Sequence, residues 1–423
     1  MTSTTSATGK NKLTLYILLA MLLGVIVGYI IHLQSGAEQI QKFATNIKVL
    51  TTIFLRLVQM IIAPLVFCTL VVGIAKLGDL KTVGRVGGKA LLWFMSASLF
   101  SLSLGLVLVN ILKPGAGISL QNADVNGVQD IMGKTQGFSF QKFIEHLFPK
   151  SVFEAMATNE ILQIVVFSIF FGVATAALGD TGKIIVKALD AAAHIILKMV
   201  GYVMNFAPLG VFGAIAAVIA VKGLEVFKFY GVYLAEFIAA IAVLWVILLG
   251  VGYLILGNRL FALMKRIGQP ILIAFSTTSS EAVFPKLSQE LENFGCKDKI
   301  VSFILPLGYS FNLDGSMMYM TFASLAIAQA YGIQLDVGTQ ITMLLVLMLT
   351  SKGIAGVPRA SLVVVTATCA MFNIPPEGIA LILPIDHFCD MFRSATNVVG
   401  NALATTVVSK WEGELAAEKV ELN

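Results

Sequence analysis

Residues 386–401 of the chain read DHFCDMFRSATNVVGN. Written as a helix, Asp386, Asp390, Arg393, Ser394, Asn397 and Asn401 fall at i, i+4, i+7, i+8, i+11 and i+15, one polar stripe on an otherwise apolar rod. The flanking GIALILPI and ALATTVV are as oily as lipid or protein interior. An arginine or aspartate at mid-membrane depth costs roughly 2.5–3.5 kcal/mol on insertion scales. Two acids and an arginine so close together therefore need partners or a ligand. One account is a self-contained Asp390–Arg393 bridge that only holds helices together. The other is a binding site, in which Arg393 offers a planar fork to a carboxylate and Asp390 accepts from an ammonium.

The rest of the chain says where such a stripe sits. Of 423 residues, 57% are hydrophobic and 13% charged, with a mean hydropathy of +0.88. A soluble domain carries roughly 25% charge, so the composition is that of a polytopic membrane protein in a lipid bilayer. Basic residues gather in loops without interleaved aromatics, which argues against a nucleic-acid partner. Cys68, Cys296, Cys369 and Cys389 lack metal-ligand spacing and read as buried thiols. No HExxH, GxSxG, Cys/His cluster or Walker motif supports an enzyme or ATP-driven transport. A ligand-gated channel would need a continuous polar stripe on several helices, whereas polarity here is confined to short patches.

Apolar runs predict spans over 13–32, 49–75, 91–112, 161–178, 185–220 and 232–256. The second is interrupted by Arg56, Gln59 and Pro64, and Pro208 is placed to bend the fifth. Lys76, Lys81, Arg85 and Lys89, expected in a loop, and Arg259, Lys265 and Arg266 mark the cytoplasmic face. Residues 1–12 form a cytoplasmic N-terminus, 113–155 an external excursion, 411–423 a charged cytoplasmic tail. Asp180, Lys183 and Lys187 read as a solvated loop.

Beyond 266 the pattern changes. Five hydroxyl residues, 276–280, separate two short apolar arms, and hydroxyls compete with helical hydrogen bonds. This predicts a re-entrant hairpin whose broken backbone is buried in protein or lines a cavity. A span follows with NLDGS (312–316) at its centre, where unwound carbonyls and Asp314 suit a hard cation. TSKGIAGVPRAS (350–361) breaks a second hairpin, and the polar stripe comes next. A broken hairpin before a polar-centred helix thus occurs twice, the pattern of a secondary transporter site at mid-membrane.

FLRLVQMIIAPLVF (54–67), the serine-rich 276–280 with EAVFP, NLDGS, SKGIAGVP (351–358) and DMFRSATNVVGN (390–401) together resemble the dicarboxylate/amino acid:cation symporter family over nearly the whole chain. That family includes bacterial proton/sodium–glutamate symporters and the animal excitatory amino acid transporters. The resemblance implies an all-α membrane fold of eight transmembrane helices and two re-entrant hairpins in inverted repeats. It implies a homotrimer with scaffold helices at 13–76 and 150–222. An elevator-like transport domain would occupy 86–113 and 229–410, with hairpin 1 at about 260–292, the seventh helix at 299–330, hairpin 2 at 338–374 and the eighth helix at 377–410.

Residue by residue, Arg393 matches the binder of the substrate's side-chain carboxylate and Asp390 the acceptor for its amino group. Asn397 and the backbone at Ser279 and Ser280 match the α-carboxylate binders. Ser316, Ser394 and the backbone at Gly356 and Val357 match further contacts. Asp390 with Arg393 points to an acidic amino acid, glutamate or aspartate, with a C4-dicarboxylate as the alternative. The coupled cation is H⁺, Na⁺ or both, with no other cofactor. Possible sodium positions are Gly308, Ser310, Asn312, Asp314, Ser98, Ser351, Asn397 and Asn401. Departures thin that shell: Asn401 replaces an Asp, Phe94 and Ala97 replace oxygen ligands, and Ile354 replaces a Thr. The thinning favours protons, with Glu281, Asp314, Asp386 and Asp390 as carriers because burial raises an acid's pKa. Met320 stands where animal members carry a proton-binding Glu. A bacterial inner membrane is the implied location.

Overall fold

The computed structural model describes residues 7–77, 80–117, 148–224, 226–351 and 360–416. All the long elements among them are helices. In chain order they are α1 (Ala7–Gln34), α2 (Ala37–Leu77), α3 (Leu80–Leu112), α4 (Val152–Thr158), α5 (Ile161–Ala177), α6 (Asp180–Met204), α7 (Ala207–Lys222) and α8 (Val226–Leu256). Then follow α9 (Arg259–Thr277), α10 (Phe284–Phe294), α11 (Asp298–Phe311), α12 (Asp314–Ala330), α13 (Val337–Thr350), α14 (Ala360–Met371), α15 (Ile379–Ile382) and α16 (Asp386–Trp411). Among these, Leu15–Gln34, Ala37–Ala75, Lys81–Leu112 and Tyr230–Leu256 are long and apolar enough to cross a bilayer. The pair Asp180–Met204 and Ala207–Lys222, bent by 49°, makes a fifth. Pro208 in the first turn of α7 supplies the bend, as its position in the sequence implies.

The helices pack in two groups. In the first, α1 and α2 lie along α7, and α5 and α6 lie along α2. Small residues permit this. A Cβ at Gly28 of α1 would stand 2.7 Å from the Ala216 carbonyl of α7, and one at Gly210 of α7 would stand 2.7 Å from Phe54 of α2. In the second group α16 is the centre, touching α8, α9, α11 and α12, while α3 runs along α12. All of α12 from Asp314 to Ala328 is buried. The groups meet chiefly where α11 lies on α2.

Three expectations need correction. Lys81, Arg85 and Lys89 lie in the first turns of α3, not in a loop, because the helix begins ahead of its apolar stretch. Asp180, Lys183 and Lys187 likewise start α6, where Lys183 pairs with Asp180 at 2.7 Å on an exposed face. Hydrophobicity alone cannot see such helical extensions. The eighth span is not one rod from 377: the Pro376–Gly378 turn and α15 precede a break at Pro384, and α16 starts at Asp386. Beyond α16 the first residues of the tail return to the fold. Leu415 bridges to Cys296, and Ala416 N donates to Gly295 O at 2.9 Å. The predicted external excursion lies mostly outside the described residues.

That strap carries two carboxylates. Arg85 donates to Glu412 at 2.9 Å and Lys89 lies 2.6 Å away; Glu414 pairs with Lys297 and, at 2.6 Å, with Lys299. Burial pushes Glu412 up, but the hydrogen bonds from Arg85 and Lys89 outweigh it and hold it below the usual range. Hydrogen bonds from Lys297 and Lys299 hold Glu414 low. Depressed carboxylates stabilise the folded state above their unfolded pKa, and the contribution is lost as pH falls through their folded pKa. The double variant E412Q/E414Q should therefore lose about 1 kcal/mol per carboxylate at neutral pH. In thermal melts monitored by size-exclusion fluorescence, its deficit against wild type should close as the buffer is acidified.

Candidate functional site

The break between α11 and α12 faces the middle of α16. Asn312 and Leu313 leave helical geometry, so the last carbonyls of α11 and the first amides of α12 are free of helical partners. Asn397 of α16 fills part of this gap. Its Oδ1 accepts from Gly315 N at 3.0 Å and Ser316 N at 3.3 Å, and its Nδ2 donates to Ser316 Oγ at 3.1 Å. A side chain from one helix thus caps the other.

One turn earlier on α16 lies the arginine. Arg393 is 1% exposed. Its Nη2 is 2.9 Å from Asp390 Oδ1 and 3.2 Å from Asp386 Oδ1, and Nε donates to Asp390 Oδ1 at 3.2 Å. Tyr319 of α12 donates to Asp386 Oδ1 at 2.8 Å and puts its ring 3.9 Å from the guanidinium carbon. Asp390 opens outward, its side chain 29% exposed. Arg393 Nη1 is buried with no hydrogen-bond partner among the described residues. The bridge expected between Asp390 and Arg393 is present, yet it leaves one edge of the fork free for a carboxylate.

A second polar cluster lies deeper. Asp314 Oδ2 accepts from Asn312 Nδ2 at 3.2 Å, and its Oδ1 accepts from Ser101 of α3 at 3.4 Å. Asn312 Nδ2 also reaches Asn401 Oδ1 at 3.4 Å. Gly308 lies under that amide, where a Cβ would come within 2.5 Å of Asn401 Oδ1. Ser98 donates to the Phe311 carbonyl at 3.1 Å, and the Ser310 hydroxyl and Asn312 Oδ1 are buried without hydrogen-bond partners. Oxygen atoms around a break in a buried helix suit a hard cation. Gly308, Ser310, Asn312, Asp314, Ser98 and Asn401 are therefore brought to one region. Ser101 was missed in the sequence, although its place one turn after Ser98 was a signal.

Other expected residues lie apart. Ser351 ends α13 and donates to Met348 O at 3.1 Å, with no hydrogen bond to the cluster. Ser394 is buried beside Arg393. The first hairpin tip is tighter than expected: α9 continues through Ser276 and Thr277, whose hydroxyls donate back to Leu272 and Ile273 carbonyls at 2.6 and 2.7 Å. The turn falls at Thr278, with φ 55°, followed by Ser279 and Ser280. Ser279 Oγ accepts from Ala282 N at 3.2 Å. Glu281 starts the following turn within electrostatic reach of Glu160, ahead of α5. Gly356 and Val357, with Ile354, lie outside the described residues.

A family model described as the sodium:dicarboxylate symporter family matches residues 13–411. The chain belongs to that family. It is a membrane symporter and not an enzyme. It is 39% identical over 414 residues to a proton/sodium-glutamate symport protein of Geobacillus stearothermophilus, covering 97% of each chain. It is also 39% identical over 418 residues to a C4-dicarboxylate transport protein of Bacillus subtilis, covering 97% of this chain and 96% of that one. A C4-dicarboxylate transport protein of Acinetobacter baylyi is 40% identical over 419 residues, 97% of this chain and 94% of its own. The relatives thus divide between two substrate names at equal similarity.

The symporter's deeper cluster depends on one glycine. A Cβ at Gly400 would fall 2.0 Å from Asp314 Oδ2, whereas one at Gly250 of α8 would meet nothing within 4 Å. Gly400→Ala should lower the melting temperature by an amount equal to about 2–5 kcal/mol of overpacking and lost hydrogen bonding. Gly250→Ala should leave it level or slightly higher.

Proposed function

We propose that this symporter takes up acidic amino acids, L-glutamate and L-aspartate, together with H⁺, Na⁺ or both. The observation that carries the reading is Arg393, held along one edge by two aspartates with Nη1 left unpartnered. The substrate's side-chain carboxylate takes the free edge of the fork. Its ammonium meets Asp390, which faces outward. Its α-carboxylate is bound by Asn397 and the backbone at Ser279 and Ser280, and Ser316, Ser394, Gly356 and Val357 supply further contacts. A C4-dicarboxylate has no cation to offer Asp390 and would place like charges together.

The cation site is the cluster around Asp314, Asn312, Asn401, Gly308, Ser310, Ser98 and Ser101. The packing in two groups supports a scaffold of 13–76 and 150–222 and a moving transport domain of 86–113 and 229–410. Helices of the scaffold form a homotrimer. Lys297 and Lys299 join Arg85, Lys89 and Arg259 at the end where the C-terminal strap docks. That supports a cytoplasmic face there, cytoplasmic termini and a bacterial inner membrane.

The test is uptake of labelled L-glutamate and L-aspartate into proteoliposomes under a proton gradient, a sodium gradient and both. Uptake should be inhibited by unlabelled glutamate more than by succinate, and Arg393→Ala should reduce it at least about 100-fold. Asp390→Asn should weaken glutamate and improve competition by succinate. Inhibition by succinate without inhibition by glutamate would make the chain a C4-dicarboxylate symporter, the reading that relatives of that name favour.

A further inference from the structure

We infer that Glu236 of α8 is a proton-binding site of the transport cycle, with Tyr233 linking it to the Arg393 cluster. The inference rests on the reading that protons drive uptake. Glu236 lies inside the apolar stretch that begins at Tyr230, about 9 Å along the helix at 1.5 Å per residue. It interrupts that stretch as its one charged residue. The side chain makes no ion pair or hydrogen bond with the described residues, and Oε2 is buried without a partner.

A bare carboxylate inside an apolar span is unfavourable. Binding a proton at Oε2 removes that penalty. The site therefore exchanges a proton rather than a metal ion, for which one carboxylate offers too few oxygens. The O–H bond forms with a proton taken from one aqueous side and breaks when the proton is released to the other.

Tyr233 gives the site its connection. It precedes Glu236 by one turn, so the two side chains share a flank of α8. Its ring is 2% exposed and its hydroxyl is buried without a partner. It lies within electrostatic reach of Asp386, Arg393 and Cys389. The elements packed on α8 are α16, α9, α3, α12 and the Pro114–Gly117 turn. The titratable and charged groups of α16 on this side are Asp386, His387, Cys389, Asp390 and Arg393, and α12 carries Asp314 and Tyr319. The cations of α3 and α9 lie at the strap end, and the turn carries none. Glu236 thus lies one helical turn from a tyrosine that reaches the arginine cluster.

The experiment compares wild type, Glu236→Gln, Glu236→Asp and Tyr233→Phe in proteoliposomes. A gradient of one pH unit coupled to one proton supports about ten-fold accumulation. Wild type should show it and Glu236→Gln should not. Glutamate exchange in Glu236→Gln should be flat across the pH range in which wild type varies, and Glu236→Asp should restore the variation. Tyr233→Phe should shift the pH profile. Infrared difference spectra of the same proteins give a readout independent of substrate. A carboxylic-acid carbonyl band that titrates in wild type should vanish in Glu236→Gln.

Proton-driven accumulation in Glu236→Gln equal to wild type would overturn the inference. So would glutamate uptake by wild type that ignores protons, which leaves the substrate reading intact. If no gradient drives glutamate uptake, the substrate reading fails, and the infrared band alone decides on Glu236: its persistence in Glu236→Gln overturns the proton site.

Discussion

A fully buried guanidinium held by two carboxylates governs this structure. Taking Arg393 out of water is tolerable only because Asp386 and Asp390 surround it and Tyr319 covers its face. Four side chains from two helices must be placed together to within a few tenths of an ångström. That requirement fits the deep burial of α12 and α16 and explains why glycines stand where they approach. A Cβ at Gly315 would fall 2.6 Å from the carbonyl of Arg393 itself. The site and the core are thus one construction.

The break after α11 is the second element of that construction. A helix that unwinds inside a membrane exposes backbone groups that lipid cannot satisfy. Here Asn397 of α16 accepts from the first amides of α12 and Ser98 of α3 donates to the Phe311 carbonyl, while Asn401 and Ser101 bond to the side chains of Asn312 and Asp314. The unwound segment is stable only against these neighbours, so its polar atoms remain available to an ion without being open to lipid. The cluster around Asp314 and the arginine cluster share α12 and α16, so a change in one is transmitted to the other through the same two helices.

Outside the site, a set of ion pairs joins helices at one end of the bundle. The strap after α16 ties α3, α10 and α11 to α16 through Glu412, Glu414 and the bridge at Cys296. The helices that carry the site are therefore joined both in the membrane and at its edge.

The sequence by itself determined the class of protein, the position of most spans, the turn after α9 and the stripe from Asp386 to Asn401. Hydrophobicity and the 3.6-residue period carry that information locally. A breaker such as Pro208 announced an interruption as clearly as the apolar runs announced spans. The helical starts of α3 and α6 were not legible, because charged residues at a helix end look like a loop to a hydropathy reading. The partition of roles was also hidden. Nothing local says that Asn397 caps α12, that Asp386 as well as Asp390 holds Arg393, or that Ser101 reaches Asp314. Those facts depend on which helices lie side by side and in what rotation. Only the tertiary structure decides that, since a buried charge is satisfied by whatever packing brings within hydrogen-bond reach.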